Sequence, residues 1–108
     1  MMHTACFQFV SQFATNDPLK IIEIGSRDIN GSVRPLFPGA EYTGVDLEHG
    51  PGVGIVCDAA VWWPPERVDL VLVLEVLEHS PNWGELIEVA HGWLKPDGRI
   101  IITCAGPG

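Results

Sequence analysis

The run VDLVLVL, from Val68 to Leu74, constrains the fold more than any other stretch of this 108-residue chain. It is the most continuous apolar run in the sequence, and a strand apolar on both sides has to be covered on both faces. Such a strand belongs at the centre of a layered α/β domain. The run stops at an acid, Glu75. Three other short runs do much the same: Leu19 to Ile24 carries Glu23 one step before its end, Glu41 to Asp46 closes on Asp46, and Val53 to Cys57 is followed by Asp58.

The first of these runs passes into a polar, glycine-bounded turn, KIIEIGSRDING from Lys20 to Gly31. A buried strand that breaks at Gly25 and resumes as a helix near Gly31 suits a nucleotide-binding turn. Both glycines can take backbone angles barred to other residues and let a ligand approach the main chain. Glu23 would be costly to bury unpaired, which predicts that it faces the crevice at the carboxyl end of its strand.

The remaining elements alternate around these strands. From His3 to Phe13 the residues Cys6, Phe9 or Val10, and Phe13 recur at helical spacing, and Asn16-Asp17-Pro18 ends that helix. Ser32 to Phe37 has room only for a short helix, with Pro35 tolerable in its first turn. Parallel strands normally need a crossover of about a dozen residues. The loop before Val53 and the Trp62-Trp63-Pro64-Pro65 segment after Cys57 are too brief for full helices. Ser80-Pro81-Asn82 supplies cap residues for a helix striped by Leu86, Val89 or Ala90, and Trp93 or Leu94. Lys95-Pro96-Asp97-Gly98 then stops the helix, and Arg99 to Thr103 forms a fifth strand. The pattern predicts a mostly parallel sheet with right-handed crossovers.

Bulk properties exclude several classes of function. Six basic residues against fourteen acidic ones leave a net charge of −8, the wrong sign for neutralising phosphates over a broad surface, so nucleic acid is not an expected partner. Three cysteines, Cys6, Cys57 and Cys104, are an odd number in apolar settings and read as reduced thiols of a cytoplasmic protein. No run reaches the length of a membrane span, and no basic region precedes an apolar one at the N-terminus, so no membrane role is expected. His49, His79, His91 and the cysteines lack the close paired spacing of a metal site, and no metal is expected.

In a parallel sheet the four acids Glu23, Asp46, Asp58 and Glu75 gather along one edge, where ligands of open α/β sheets bind. Acids there suit a ligand rich in hydroxyl and amino donors and repel an exposed polyphosphate. Asp46 follows Gly25 by 21 positions, the spacing at which a carboxylate on the second strand accepts from a ribose.

With these residues in view, the chain resembles a class I S-adenosylmethionine-dependent methyltransferase over nearly its whole length. EIGSRDING is similar to the first motif of that family, YTGVDL to the ribose-holding segment and VCDAA to the adenine-contacting motif. LEVLEHSPNW, followed by a helix and WLKPDGRIIIT, resembles the passage from the fourth strand to the fifth and is the most specific signal. The resemblance implies a three-layer Rossmann-like sheet of about five strands in the order 3-2-1-4-5, forming one S-adenosylmethionine-binding domain over 1–108. It implies Glu23 near the methionine amino group, main chain of Gly25 and Ser26 along the cofactor, Gly31 restoring a close approach, and Asp46 on both ribose hydroxyls. Asp58 would accept from the adenine amino group and the Ala59 amide would contact the ring. Leu47 and Val76 would pack on the adenine or flank the crevice, and Glu75 would line the methionine end where a small-molecule acceptor enters.

Two departures stand out. G-S-R replaces the usual G-x-G, so Arg27 either pairs with a neighbouring carboxylate or holds the methionine carboxylate. The family's C-terminal hairpin is lacking, which leaves Arg99 to Thr103 as an apolar edge and predicts either a fragment or a homodimer paired through that strand. Methyl transfer is chiefly alignment with at most one base. Glu75 and His79 are the local candidates for that base, although His79 in L-E-H-S-P equally suits a hydrogen bond to the start of the next helix. Trp62, Trp63 and Trp83 fall in loops, where they either wall the acceptor site or pack as core or lid. Two other functions share part of this pattern: a nicotinamide-dependent oxidoreductase, disfavoured by the absent G-x-G-x-x-G, and a non-catalytic methyltransferase-like binding module.

Overall fold

The computed structural model describes residues 4–25, 32–74 and 83–103. Five strands form one all-parallel sheet: β1 Lys20–Ile24, β2 Glu41–Asp46, β3 Ile55–Val56, β4 Val68–Leu74 and β5 Leu94–Thr103. Their spatial order is β3-β2-β1-β4-β5, the order the family resemblance implies. Two helices, α1 Thr4–Ser11 and α2 Trp83–Gly92, complete the described elements together with two short 3-10 turns.

β4 shows why the sheet has a layer on each face. Its side chains alternate, so Val71 and Val73 join one core while Leu70, Leu72 and Leu74 join the other, and Val68 through Leu74 is buried except at Asp69. The first core sets Ile22, Ile24 and Val45 against Leu86 and Ala90 of α2, with Trp93 just beyond that helix. The second sets Ile21 and Ile101 against Cys6 and Val10 of α1 and against Val33 and Phe37. The ambiguous stripe of the first helix thus resolves to Cys6 and Val10, one turn apart. Phe9 is left 43% exposed, with its ring edge-on to Phe13. The Cys6 thiol also meets the Thr103 hydroxyl at 3.3 Å, joining α1 to the end of β5.

The short connections follow the sequence closely. Arg34–Leu36 is a single 3-10 turn with Pro35 in its first turn. Gly39 lies so near the Asn16 carbonyl that a Cβ there would come within 2.2 Å of the oxygen. β3 is only two residues long, shorter than Val53 to Cys57, because the turn closed by Val53 N–H on Gly50 C=O occupies its first residues. After it comes no helix but the 3-10 turn Ala59–Val61.

β5 departs from expectation. It begins at Leu94, which pairs with Val68, and the next matched pair is Arg99 with Leu70. Residues 95–98 are therefore a bulge within the strand and not a turn leading into it. Pro96 is accommodated there because a bulge needs no ladder N–H. Arg67 Nη1 holds the entry by donating to the Gly92 and Leu94 carbonyls at 3.0 and 3.1 Å.

Of the two alternatives for the loop tryptophans, packing and not an acceptor wall holds for Trp62 and Trp63. Trp62 packs edge-on against the fully buried Trp93 at 5.4 Å, and Trp63 lies against Gly92, so both sit beside the entry to β5 at the amino end of the sheet, away from the expected crevice. Trp83 is the first residue of α2 and 55% exposed, not a loop residue.

Candidate functional site at the carboxyl edge of the sheet

Because every strand is parallel, the carboxyl ends of β1, β2 and β3 lie side by side. β1 leaves the sheet at Gly25, which has φ 73° and donates its N–H to Val45 C=O at 2.8 Å. Only glycine takes that angle without strain, which is why the apolar run breaks there.

Glu23 sits opposite Gly44 on β2 and Leu72 on β4 and is only 6% exposed. Its burial is matched by a partner that the sequence reading lacked: the Tyr42 hydroxyl donates to Oε1 at 2.5 Å. Burial, and then the adjoining Glu23 carboxylate, push the Tyr42 phenol well above its ordinary pKa, so it stays a donor. The Arg34 guanidinium lies 4.6 Å from the centre of the Tyr42 ring, and its Nη2 donates to Gly52 C=O at 3.2 Å.

Asp46 ends β2, half-buried, and its Oδ1 accepts the Glu48 N–H at 3.1 Å. This Asx turn swings the chain away at the strand tip and leaves Leu47 70% exposed beside the carboxylate. The Asp46 carbonyl takes the Cys57 N–H at 2.9 Å, binding the tips of β2 and β3 together. Asp58 follows at once, and its Oδ1 accepts the Ala60 N–H at 2.9 Å, capping the turn that buries Ala59. Burial and then the Asp58 charge raise the Cys57 thiol pKa, which makes it a poor nucleophile.

Of the residues singled out from the sequence, Glu23, Gly25, Asp46, Leu47, Asp58 and Ala59 all come to this edge. Ser26, Gly31, Glu75, Val76 and His79 lie outside the described residues, as does Arg27. Tyr42 and Arg34 were missed. The alternation of β2 puts Tyr42 on the same face as Asp46, but its bond to Glu23 depends on a register between strands that no local pattern encodes.

The three described carboxylates are acceptors when ionised, and their charges disfavour phosphate. A ligand carrying hydroxyls, an amine and an ammonium group fits that set. Gly25, which carries no Cβ, lets such a ligand approach the main chain beside them.

A family profile described as a methyltransferase domain matches residues 1–106. The ubiquinone biosynthesis O-methyltransferase of Pseudomonas syringae pv. tomato is 27% identical over an alignment of 100 positions, which takes in 78% of this chain and 43% of that protein. Its counterpart in Pseudomonas entomophila is 33% identical over 61 positions, 56% of this chain and 25% of the relative. The chain thus spans less than half the length of these curated relatives. The fold is shared with the 1,6-didemethyltoxoflavin-N1-methyltransferase of Burkholderia thailandensis, solved with 1,6-didemethyltoxoflavin and S-adenosylhomocysteine bound. The TM-score is 0.69 at 23% identity over 89% of this chain and 50% of that one. It is shared too with coclaurine N-methyltransferase bound to N-methylheliamine and S-adenosylhomocysteine, at a TM-score of 0.67 and 18% identity over 89% of this chain and 34% of that one. Profile, relatives and sheet order agree, and the chain belongs to the methyltransferase-domain family.

Proposed function

We propose that the carboxyl edge binds S-adenosylmethionine and that the protein transfers its methyl group to a small-molecule acceptor. The observation that carries this reading is the row of Glu23, Asp46 and Asp58 at successive strand ends around a left-handed Gly25. The family match and the ligands named for the two solved methyltransferases support it.

On this reading Asp46 accepts from the ribose hydroxyls, Asp58 from the adenine amine through the oxygen its cap leaves over, and Glu23 from the methionine ammonium. Leu47 and Ala59 flank the adenine, and main chain of Gly25, Ser26 and Gly31 lines the rest. The same reading assigns Glu75 and Val76 to the cofactor site, and Glu75 and His79 are the candidates to take a proton from the acceptor. When bound, S-adenosylmethionine supplies an electrophilic methyl group; the chain's own contribution is to hold and align. No helix among the described residues is long and apolar enough to cross a membrane, and a cytoplasmic enzyme with a diffusible acceptor accords with that.

Calorimetric titration with S-adenosylmethionine and S-adenosylhomocysteine, with NAD as a control and Asp46→Ala alongside, tests the site. The expected result is binding of both adenosyl ligands, none of NAD, and a loss of at least tenfold in the variant, the scale of one charged hydrogen bond. A folded chain that binds NAD in their place sinks the reading in favour of an oxidoreductase. Binding without turnover on any acceptor in a longer chain leaves a binding module.

A further inference from the structure

We infer that Tyr42 is a positioning residue for the methionine end of the cofactor site, acting through Glu23; this rests on the cofactor reading above. A glutamate on a strand has rotatable bonds enough to put its carboxylate in several places. Here one oxygen is fixed, since Oε1 takes the Tyr42 hydroxyl at 2.5 Å in a site where Glu23 is only 6% exposed. The phenol is itself held. Its backbone is in β2, where Tyr42 pairs with Ile21; its ring packs on the core beneath α1; and the Arg34 guanidinium lies 4.6 Å over the ring. Arg34 in turn donates to Gly52 C=O, in the loop that follows Asp46. One line of contacts therefore runs from the loop beyond the ribose-binding acid, through Arg34 and the Tyr42 ring, to the acid at the methionine end.

A hydrogen bond between neighbouring side chains is common, but this one has a geometry suited to a particular task. The two residues sit on adjacent strands, with Glu23 level with Gly44 and Tyr42 two residues earlier on β2. Tyr42 thus sets the place of the group expected to meet the ligand's amino end, while touching none of the ligand.

The test separates that end from the rest of the ligand. 5′-Methylthioadenosine keeps the adenine and ribose of S-adenosylhomocysteine but lacks its amino-acid portion. Tyr42→Phe preserves the ring and the Arg34 contact and removes only the hydroxyl. It is expected to weaken S-adenosylhomocysteine about fivefold to tenfold, the scale of one hydrogen bond, and to leave 5′-methylthioadenosine within twofold. In a Glu23→Gln background the same change should add little, because the two residues act as one unit. Equal weakening of both ligands assigns Tyr42 a merely structural role and overturns the proposal, as does an unchanged affinity for S-adenosylhomocysteine. A folded wild-type chain that binds neither ligand removes the cofactor reading itself, a distinguishable failure.

A second measurement needs no variant to fold. Tyr42 is the only tyrosine in the sequence, so 3-fluorotyrosine labels this ring alone. Its fluorine resonance should move on saturation with S-adenosylhomocysteine and stay within its line width with 5′-methylthioadenosine. The same response to both ligands, or to neither, overturns the proposal.

Discussion

The main-chain N–H of Lys20 donates to Oδ2 of Asp69, 49 residues later in the chain, at 2.8 Å. Asp69 lies on β4 between β1 and β5, and its Oδ1 meets the Lys95 ammonium of the β5 bulge at 3.1 Å. One carboxylate thereby ties three strands at the amino end of the sheet. The Lys20 N–H bond first, and then the Lys95 ammonium, hold its pKa below the ordinary aspartate value against the opposing effect of burial.

Stability should respond to acid through this group. A folded pKa below the unfolded value of about 3.9 contributes stability that is fully present above that pH and is lost as pH falls through the lower, folded value. Asp69→Ala is expected to cost about 1–3 kcal/mol at pH 7 by leaving the Lys20 N–H without its acceptor. Asp69→Asn keeps an acceptor and should cost less. Urea unfolding between pH 7 and pH 2 checks both, since the wild type should lose more stability below about pH 4 than Asp69→Asn does.

Gly39 and Gly84 should respond oppositely to alanine. At Gly39 the new Cβ would meet the Asn16 carbonyl oxygen at 2.2 Å, and about 1–3 kcal/mol of destabilisation is expected from the forced backbone shift. At Gly84, within α2, nothing lies within 4 Å, and alanine should stabilise by up to about 1 kcal/mol through helix propensity. Paired thermal melts that move in the same direction would contradict this packing.

Trp93 is fully buried between α2 and β5, yet its indole N–H has no hydrogen-bond partner among the described residues. Trp93→Ala should cost about 3–5 kcal/mol, as large core truncations do. Trp93→Phe should cost much less than that, because the loss of volume is partly offset by removing an unpaired donor. Equilibrium denaturation of the two variants is the check.

Asp58 has two jobs that substitutions can separate. Asp58→Ala removes both the cap on Ala60 N–H and the carboxylate, with about 0.5–2 kcal/mol lost in stability. Asp58→Ser keeps a capping oxygen and should hold stability to within about 0.5 kcal/mol. Both should weaken S-adenosylhomocysteine about tenfold if the charge reads the adenine amine. Calorimetry on Asp58→Ser that shows undiminished affinity would leave Asp58 as a cap alone.

What was legible in the sequence was what is encoded locally. The continuous apolar run of β4 announced cover on both faces, Pro35 fitted the first turn of its 3-10 segment, and Glu41–Asp46 and Val68–Leu74 begin and end where their patterns do. Asp46 and Asp58 were legible for the same reason, since one closes its own run and the other follows it. What was not legible depends on register between distant strands. Lys95-Pro96-Asp97-Gly98 reads as a breaker, and only the pairing of Leu94 with Val68 makes it a bulge. Glu23 looked too costly to bury because Tyr42, its partner, stands on another strand. Trp62 and Trp63 follow β3 in the chain, but the buried Trp93 and Gly92 draw them to the opposite end of the sheet.

The contact between Cys6 and Thr103 spans 97 residues, and it bears on how this chain is made. On a ribosome α1 emerges long before β4 and β5, the strands that supply Leu70, Leu72 and Ile101 to the core on which it rests. Ile21, Val33 and Phe37 reach its apolar face early, but the rest of that core waits for those strands, and β1 in turn waits for its neighbour β4. Such late-closing pairs slow folding and leave nascent apolar segments open to association. The nascent chain should therefore be open to holding chaperones until β5 is clear of the exit tunnel, and α1 should seat fully only after β5 has emerged.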